Sequence, residues 1–141
     1  STNRSSSSSE ERAAVGAGVT VYVDRYVYVD GSMTTATVFE MAFAWGDVSE
    51  REIFSLLAGA VIAEVNVWML EEFNGVGPVL TIGRPADTDE LMNTTEVDPT
   101  ILSSFSTRPG KEYLFGESVK LYMTPGAGAS AGRGVLSVYI I

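Results

Sequence analysis

From Val19 onward apolar residues recur at every second position, with Val19, Val21, Val23, Val27 and Val29 on one parity and Thr20, Tyr22, Asp24, Tyr26, Tyr28 and Asp30 on the other. Period two is the side-chain repeat of a β-strand, so this stretch is predicted as a strand with a valine face. Asp30-Gly31-Ser32 supplies turn chemistry, and residues 35–45 alternate again, setting Phe39, Met41, Phe43 and Trp45 opposite Val38, Glu40, Ala42 and Ala44. A second strand therefore follows the turn. Three tyrosines behind the first strand, where a solvated face would carry Lys, Glu and Thr, suggest that this face is covered as well.

Residues 51–57 (REIFSLL) are short and fit a strand better than a helical turn. Residues 61–73 form the longest regular segment. Val61, Ala63, Val65, Val67, Met69, Glu71 and Phe73 lie on one side, and Ile62, Glu64, Asn66, Trp68, Leu70 and Glu72 on the other. Its Glu, Leu, Met and Ala favour a helix on propensity, but valine-rich alternation between glycines favours a strand. Asn74-Gly75 reads as a tight hairpin reversal leading into a short strand at 79–82. Residues 86–92 (ADTDELM) are the one helical candidate, with Pro85 before them, Asp87 or Thr88 placed to cap, and acids in the first turn.

Residues 93–109 read as a long surface connection anchored by Ile101, Leu102 and Phe105. Strands follow at 113–115, 119–123 and 135–141, the last two joined by the Gly- and Ala-rich stretch 125–132. About seven or eight short strands, with turns rich in glycine and at most one short helix, predict an all-β fold. The expected form is an antiparallel β-sandwich, jelly-roll-like or another Greek-key arrangement. The apolar final strand is expected inside a sheet.

The chain is 141 residues long, one domain's worth, and its 45% hydrophobic content is far from that of a disordered protein. The first twelve residues hold six serines and no hydrophobic side chain, so nothing there offsets the entropy of ordering. Residues 1–17 are expected to be a flexible arm, able to order against a partner, and 18–141 the sandwich domain.

Cys 0 and His 0 remove disulfides, Cys or His zinc sites and every Ser-His-Asp or Cys-His mechanism. Nine Lys and Arg against eighteen Asp and Glu give a net charge of −9, which repels nucleic acid and anionic membranes. No apolar run reaches the roughly 20 residues of a membrane helix, so a soluble chain is expected. The N-terminus carries no basic-then-apolar leader pattern, which makes an intracellular origin the default expectation.

The candidate chemistry is thin. Asp87, Asp89, Glu90 and Asp98 are the densest acid cluster, but their spacing lacks the Asp-x-Asp-x-Asp-Gly and distal Glu of a calcium loop. Glu64, Glu71 and Glu72 on one strand could pair as in glycoside hydrolysis, yet solvated carboxylates near an aromatic are ordinary on sandwiches. The stretch 126–134 (GAGASAGRG) lacks the Gly-Lys-Ser or Gly-Lys-Thr of a phosphate cradle and reads as a loop, mobile or moulded by contact. No catalytic, cofactor or metal residue and no small-molecule substrate is assigned.

Apolar surface exceeds what one small core absorbs. Tyr22, Tyr26 and Tyr28 behind one strand, and Trp68 with Ile62 and Leu70 behind another, are residue types enriched in interface cores, while Lys, which interfaces avoid, occurs only twice. The candidate contact residues are Arg4, Glu11 and Arg12 of the arm, Tyr22, Tyr26, Tyr28, Trp68, and Arg133 of the glycine-rich loop.

The series 81–92 (TIGRPADTDELM), then 119–134 (VKLYMTPGAGASAGRG) and a last apolar strand, resembles the small β-sandwich head decoration, or cement, proteins of tailed bacteriophages. The likeness spans residues 39–141, and its motifs are structural punctuation that transfers no binding residue. It implies a jelly-roll-like module that sits on the outside of the virion's icosahedral head as a dimer or trimer, bridges major capsid protein subunits, and performs no catalysis. A carbohydrate- or receptor-binding module of a phage tail or fibre, with Trp68 and the tyrosines as platforms, is the alternative.

Overall fold

A computed structural model of the chain describes residues 13–56, 59–113 and 117–141. Among them are eleven strands and no helix. In chain order they are β1 (Ala13–Val15), β2 (Val19–Val29), β3 (Ser32–Ala44), β4 (Glu50–Leu56), β5 (Ala60–Glu71), β6 (Val79–Arg84), β7 (Asp87–Met92), β8 (Ser104–Thr107), β9 (Lys111–Tyr113), β10 (Glu117–Thr124) and β11 (Arg133–Ile140). One sheet runs β1-β4-β10-β6-β7, and the other runs β2-β3-β11-β5-β8 with β9 also on β5. Every pairing between named strands is antiparallel. The expected antiparallel β-sandwich is the observed fold, and the chain crosses repeatedly between its layers, from β1 to β2, β3 to β4, β4 to β5, β5 to β6, β7 to β8, β9 to β10 and β10 to β11.

The alternating apolar residues meet between the layers. Phe39, Met41 and Phe43 of β3, Val65, Val67 and Met69 of β5, and Leu136, Val138 and Ile140 of β11 face Ile53 and Phe54 of β4, Leu80 and Ile82 of β6, and Val119, Leu121 and Met123 of β10. Phe39 and Phe54 stack across the gap with ring centroids 4.3 Å apart, tying the two sheets together. The C-terminal strand is the middle of its sheet, bonded to β3 on one side and β5 on the other.

Several local expectations are corrected. Residues 86–92 are not a helix: Arg84 pairs with Asp87 and Ile82 with Met92, which makes β6 and β7 a hairpin turning at Pro85-Ala86. Two helical turns alone have too few hydrogen bonds to offset nucleation, whereas as a strand the segment gains a ladder and buries Leu91 and Met92. Asn74-Gly75 does not close a hairpin, because β5 and β6 lie in different sheets. Gly75 is needed there for close approach, since a Cβ on it would meet the Gly126 backbone at 2.5 Å. In the 93–109 connection Ile101 and Leu102 are exposed; buried Val97 and half-buried Phe105 are the anchors, and residues 104–107 form a strand. Of the predicted strand 113–115, Tyr113 ends β9, and the rest lies outside the described residues.

On the outer side of the five-stranded sheet, the Tyr122 hydroxyl is buried and has no hydrogen-bond partner. Burial, with the charge of Glu50 adding to it, raises the phenol's pKa above its ordinary 10.0. Neighbouring Lys120 donates to Glu50 at 2.7 Å, which raises the ammonium's pKa above its ordinary 10.5. Both groups are held protonated more tightly in the folded chain, so the stability they confer is intact below about pH 10 and is lost as pH rises beyond it. Tyr122→Phe should remove a desolvated hydroxyl that no bond compensates, a gain of about 1 kcal/mol or about 3 °C in Tm, and should soften the alkaline loss. Calorimetric melts from pH 7 to 11 check both; a Tm lowered by the substitution would show that the hydroxyl is bonded.

Candidate interaction surfaces

The β2–β3 hairpin is set by its turn. Asp30 and Gly31 have φ of 51° and 81°, the paired positive values of a two-residue reversal that matches strand twist. Counting back from it, Val29 pairs with Ser32, Tyr28 with Met33, Val27 with Thr34, Tyr26 with Thr35 and Arg25 with Ala36. The next pair is Tyr22 with Val38, so Val23 and Asp24 together oppose Thr37 alone. This is a β-bulge, and because side chains alternate, the extra residue inverts the strand's faces beyond it.

The expected tyrosine face is accordingly split. Before the bulge, Val19 and Val21 pack on the sandwich core with Phe39 and Met41, and Tyr22 lies on the outer side. After it, Val27 and Val29 are on the outer side, in a small second core with Ala36, Ala63, Tyr139 and Ile141. Tyr26 and Tyr28 take the opposite side. Tyr22 is committed within the chain: its hydroxyl donates to Glu40 Oε1 at 3.4 Å, and the Arg25 guanidinium lies 4.4 Å above its ring.

β11 reaches β3 only as far as Ile140 opposite Thr37, so residues 25–29 and 32–36 pair only with each other and project as a two-stranded ribbon. One side is held by the second core. The other presents Tyr26, Tyr28 and Met33, which are 61%, 54% and 57% exposed. Met33 was not singled out from the sequence, although its place opposite Tyr28 follows from the Asp30-Gly31 turn.

The remaining contact candidates are dispersed. Trp68, 61% exposed, lies on the outer face of the six-stranded sheet. Arg133, at the start of β11, lines a separate groove of about 400 Å³ with Asp47, Arg51 and Leu70. Arg4, Glu11 and Arg12 lie outside the described residues, whereas Ala13–Val15, within the 1–17 stretch, pair with β4.

The glycine-rich loop is pinned. Asn74 Oδ1 accepts from the Ser130 and Ala131 amides at 2.8 and 3.1 Å, its Nδ2 donates to Ser130 Oγ at 3.0 Å, and Glu71 accepts from the Gly132 amide at 3.1 Å. Val76 and Ala127 form a bridge between the two loops.

The acids do not converge. Glu64 pairs with Arg108 at 3.1 Å and Glu90 with Arg84 at 2.8 Å. Asp87 and Asp89 are neighbours on exposed β7, where the hydrogen bond to Asp87 raises the Asp89 pKa. Asp98 accepts from the Thr100 hydroxyl and amide, which lowers its pKa. Among the described residues no three carboxylates are grouped to hold a metal.

The described residues thus form an antiparallel β-sandwich with a projecting aromatic ribbon. No protein-family model and no curated protein matches the chain. Two solved structures share its fold. One is the "Acidic stable capsid structure of Helicobacter pylori bacteriophage KHP30", at TM-score 0.58 and 13% identity, covering 83% of this chain and 92% of that one. The other is the "Cyanophage Pam1 capsid asymmetric unit", at TM-score 0.53 and 14% identity, covering 89% of this chain and 86% of that one.

Proposed function

We propose that this chain is a structural, non-enzymatic protein of a phage virion. It is a decoration protein that assembles as a dimer or trimer on the outside of an icosahedral head and bridges major capsid protein subunits. The observation that carries this reading is the ribbon face of Tyr26, Tyr28 and Met33 on a fold shared with chains of two phage capsids. A monomer gains nothing by exposing two tyrosines and a methionine together, whereas aromatic and Met side chains are what interface cores use.

Each copy that binds only the assembled shell adds its binding free energy to that shell, and repetition over many sites makes the sum large. A body of net charge −9 resists premature self-association until a fitting lattice appears. The arm residues Arg4, Glu11 and Arg12, together with Arg133, are secondary contacts in this reading.

The test is reconstitution. Purified chain mixed with expanded heads lacking it should co-sediment to a saturating copy number and raise the temperature at which the heads release DNA. Chain left at the top of the gradient at every concentration would refute the proposal.

A further inference from the structure

The outer face of the six-stranded sheet carries a second feature, independent of the ribbon. Ser137 pairs with Glu40 on one side and Asn66 on the other, and Asn66 pairs with Ser106. Four polar side chains therefore form a row across β3, β11, β5 and β8, spanning about 14 Å at the usual strand spacing. Trp68 stands one pleat to one side of the row and Tyr139 one pleat to the other, about 13 Å apart along the strands. Together they line a groove of about 340 Å³, the size of a small-ligand site.

The chemistry of this groove is mixed in a particular way. The side chains of Asn66, Ser106 and Ser137 have no hydrogen-bond partner among the described residues, and Glu40 meets only the Tyr22 hydroxyl at 3.4 Å. An apolar occupant would strip water from this row and return no bonds. The amide supplies both donors and an acceptor, each serine supplies both, and the carboxylate accepts, which matches a ligand that is dense in hydroxyls. The exposed Trp68 ring at one end offers a flat apolar surface for the C–H face of a sugar ring, and Tyr139, half-buried because it also packs on the second core, closes the other end.

Charge narrows the class. Glu40 and Glu64 lie on this face; Arg108 is bonded to Glu64 at 3.1 Å, and Arg25 is stacked 4.4 Å above the ring of Tyr22, whose hydroxyl meets Glu40. A sialylated, sulfated or phosphorylated ligand would meet net repulsion from a chain of charge −9. We infer that this groove binds a neutral oligosaccharide, laid across the Glu40-Ser137-Asn66-Ser106 row with its ends on Trp68 and Tyr139.

The full chain is applied to an array of neutral, sialylated and sulfated oligosaccharides, and each structure retained is measured again by titration calorimetry. Expected is binding to at least one neutral structure, weakened about tenfold or more in both Trp68→Ala and Asn66→Ala, and unchanged in Tyr26→Ala on the ribbon. Trp68 is exposed, so its variant should melt with the wild type. No binding to any neutral structure, or affinity unmoved by Trp68→Ala, would overturn the inference, and capsid attachment is read separately.

Discussion

Replacing Tyr26, Tyr28 and Met33 together with serine is expected to abolish attachment to heads while leaving the fold intact. All three side chains are more than half exposed and contribute to neither hydrophobic core, so the cost to stability is within about 0.5 kcal/mol per site. Central interface aromatics are worth about 2 kcal/mol each when truncated. The two tyrosines alone thus amount to about 4 kcal/mol, or roughly a thousandfold in affinity, and the methionine adds to that. Co-sedimentation of the variant with heads, beside its melting curve, checks this. Tyr22→Phe is the matched control: its ring lies on the other face beneath Arg25, and its loss of a hydroxyl should leave attachment unchanged. A triple variant that still saturates heads at wild-type concentration would move the contact surface elsewhere.

Phe54→Ala should be the most damaging single change to stability. Phe54 is fully buried, and its ring stacks on Phe39 of the facing sheet at 4.3 Å. Truncating a buried phenylalanine costs about 4 kcal/mol, from lost transfer energy, the cavity left behind and the lost ring pair. Against a total of about 5–15 kcal/mol that is a large fraction, and for a chain of this size it lowers Tm by about 8–16 °C. Val76→Ala, at a side chain 80% exposed, should leave the melt in place. Denaturant and thermal unfolding of both variants measure the contrast. A Phe54→Ala loss under 1 kcal/mol would mean that this stack is not what joins the layers.

The parts of the fold that were legible are those where local chemistry repeats. Alternation in residues 35–45 marked β3 and its buried Phe39, Met41 and Phe43, and the valine-rich runs marked β5 and β11. Asp30-Gly31 marked the turn that sets the hairpin register. Segments without repetition were not legible. β7 is acidic and carries only two buried residues at its end, so its strand state depends on β6 alongside it.

The binding surfaces divide on the same line. Tyr22, Tyr26 and Tyr28 share one parity in the sequence, and one extra residue at Val23-Asp24 separates them; a bulge inserts no characteristic residue, so only pairing with β3 reveals it. Likewise Glu40, Asn66, Ser106 and Ser137 are scattered along the chain and meet only because three cross-strand registers align them. By itself the sequence determined the all-β class, the main strands and the absence of Cys and His chemistry, because composition and period two act within a few residues. Which faces carry the aromatic and polar side chains was decided by tertiary structure, because strand pairing and bulges join residues far apart in the chain, and their energies do not exist until the sheets form.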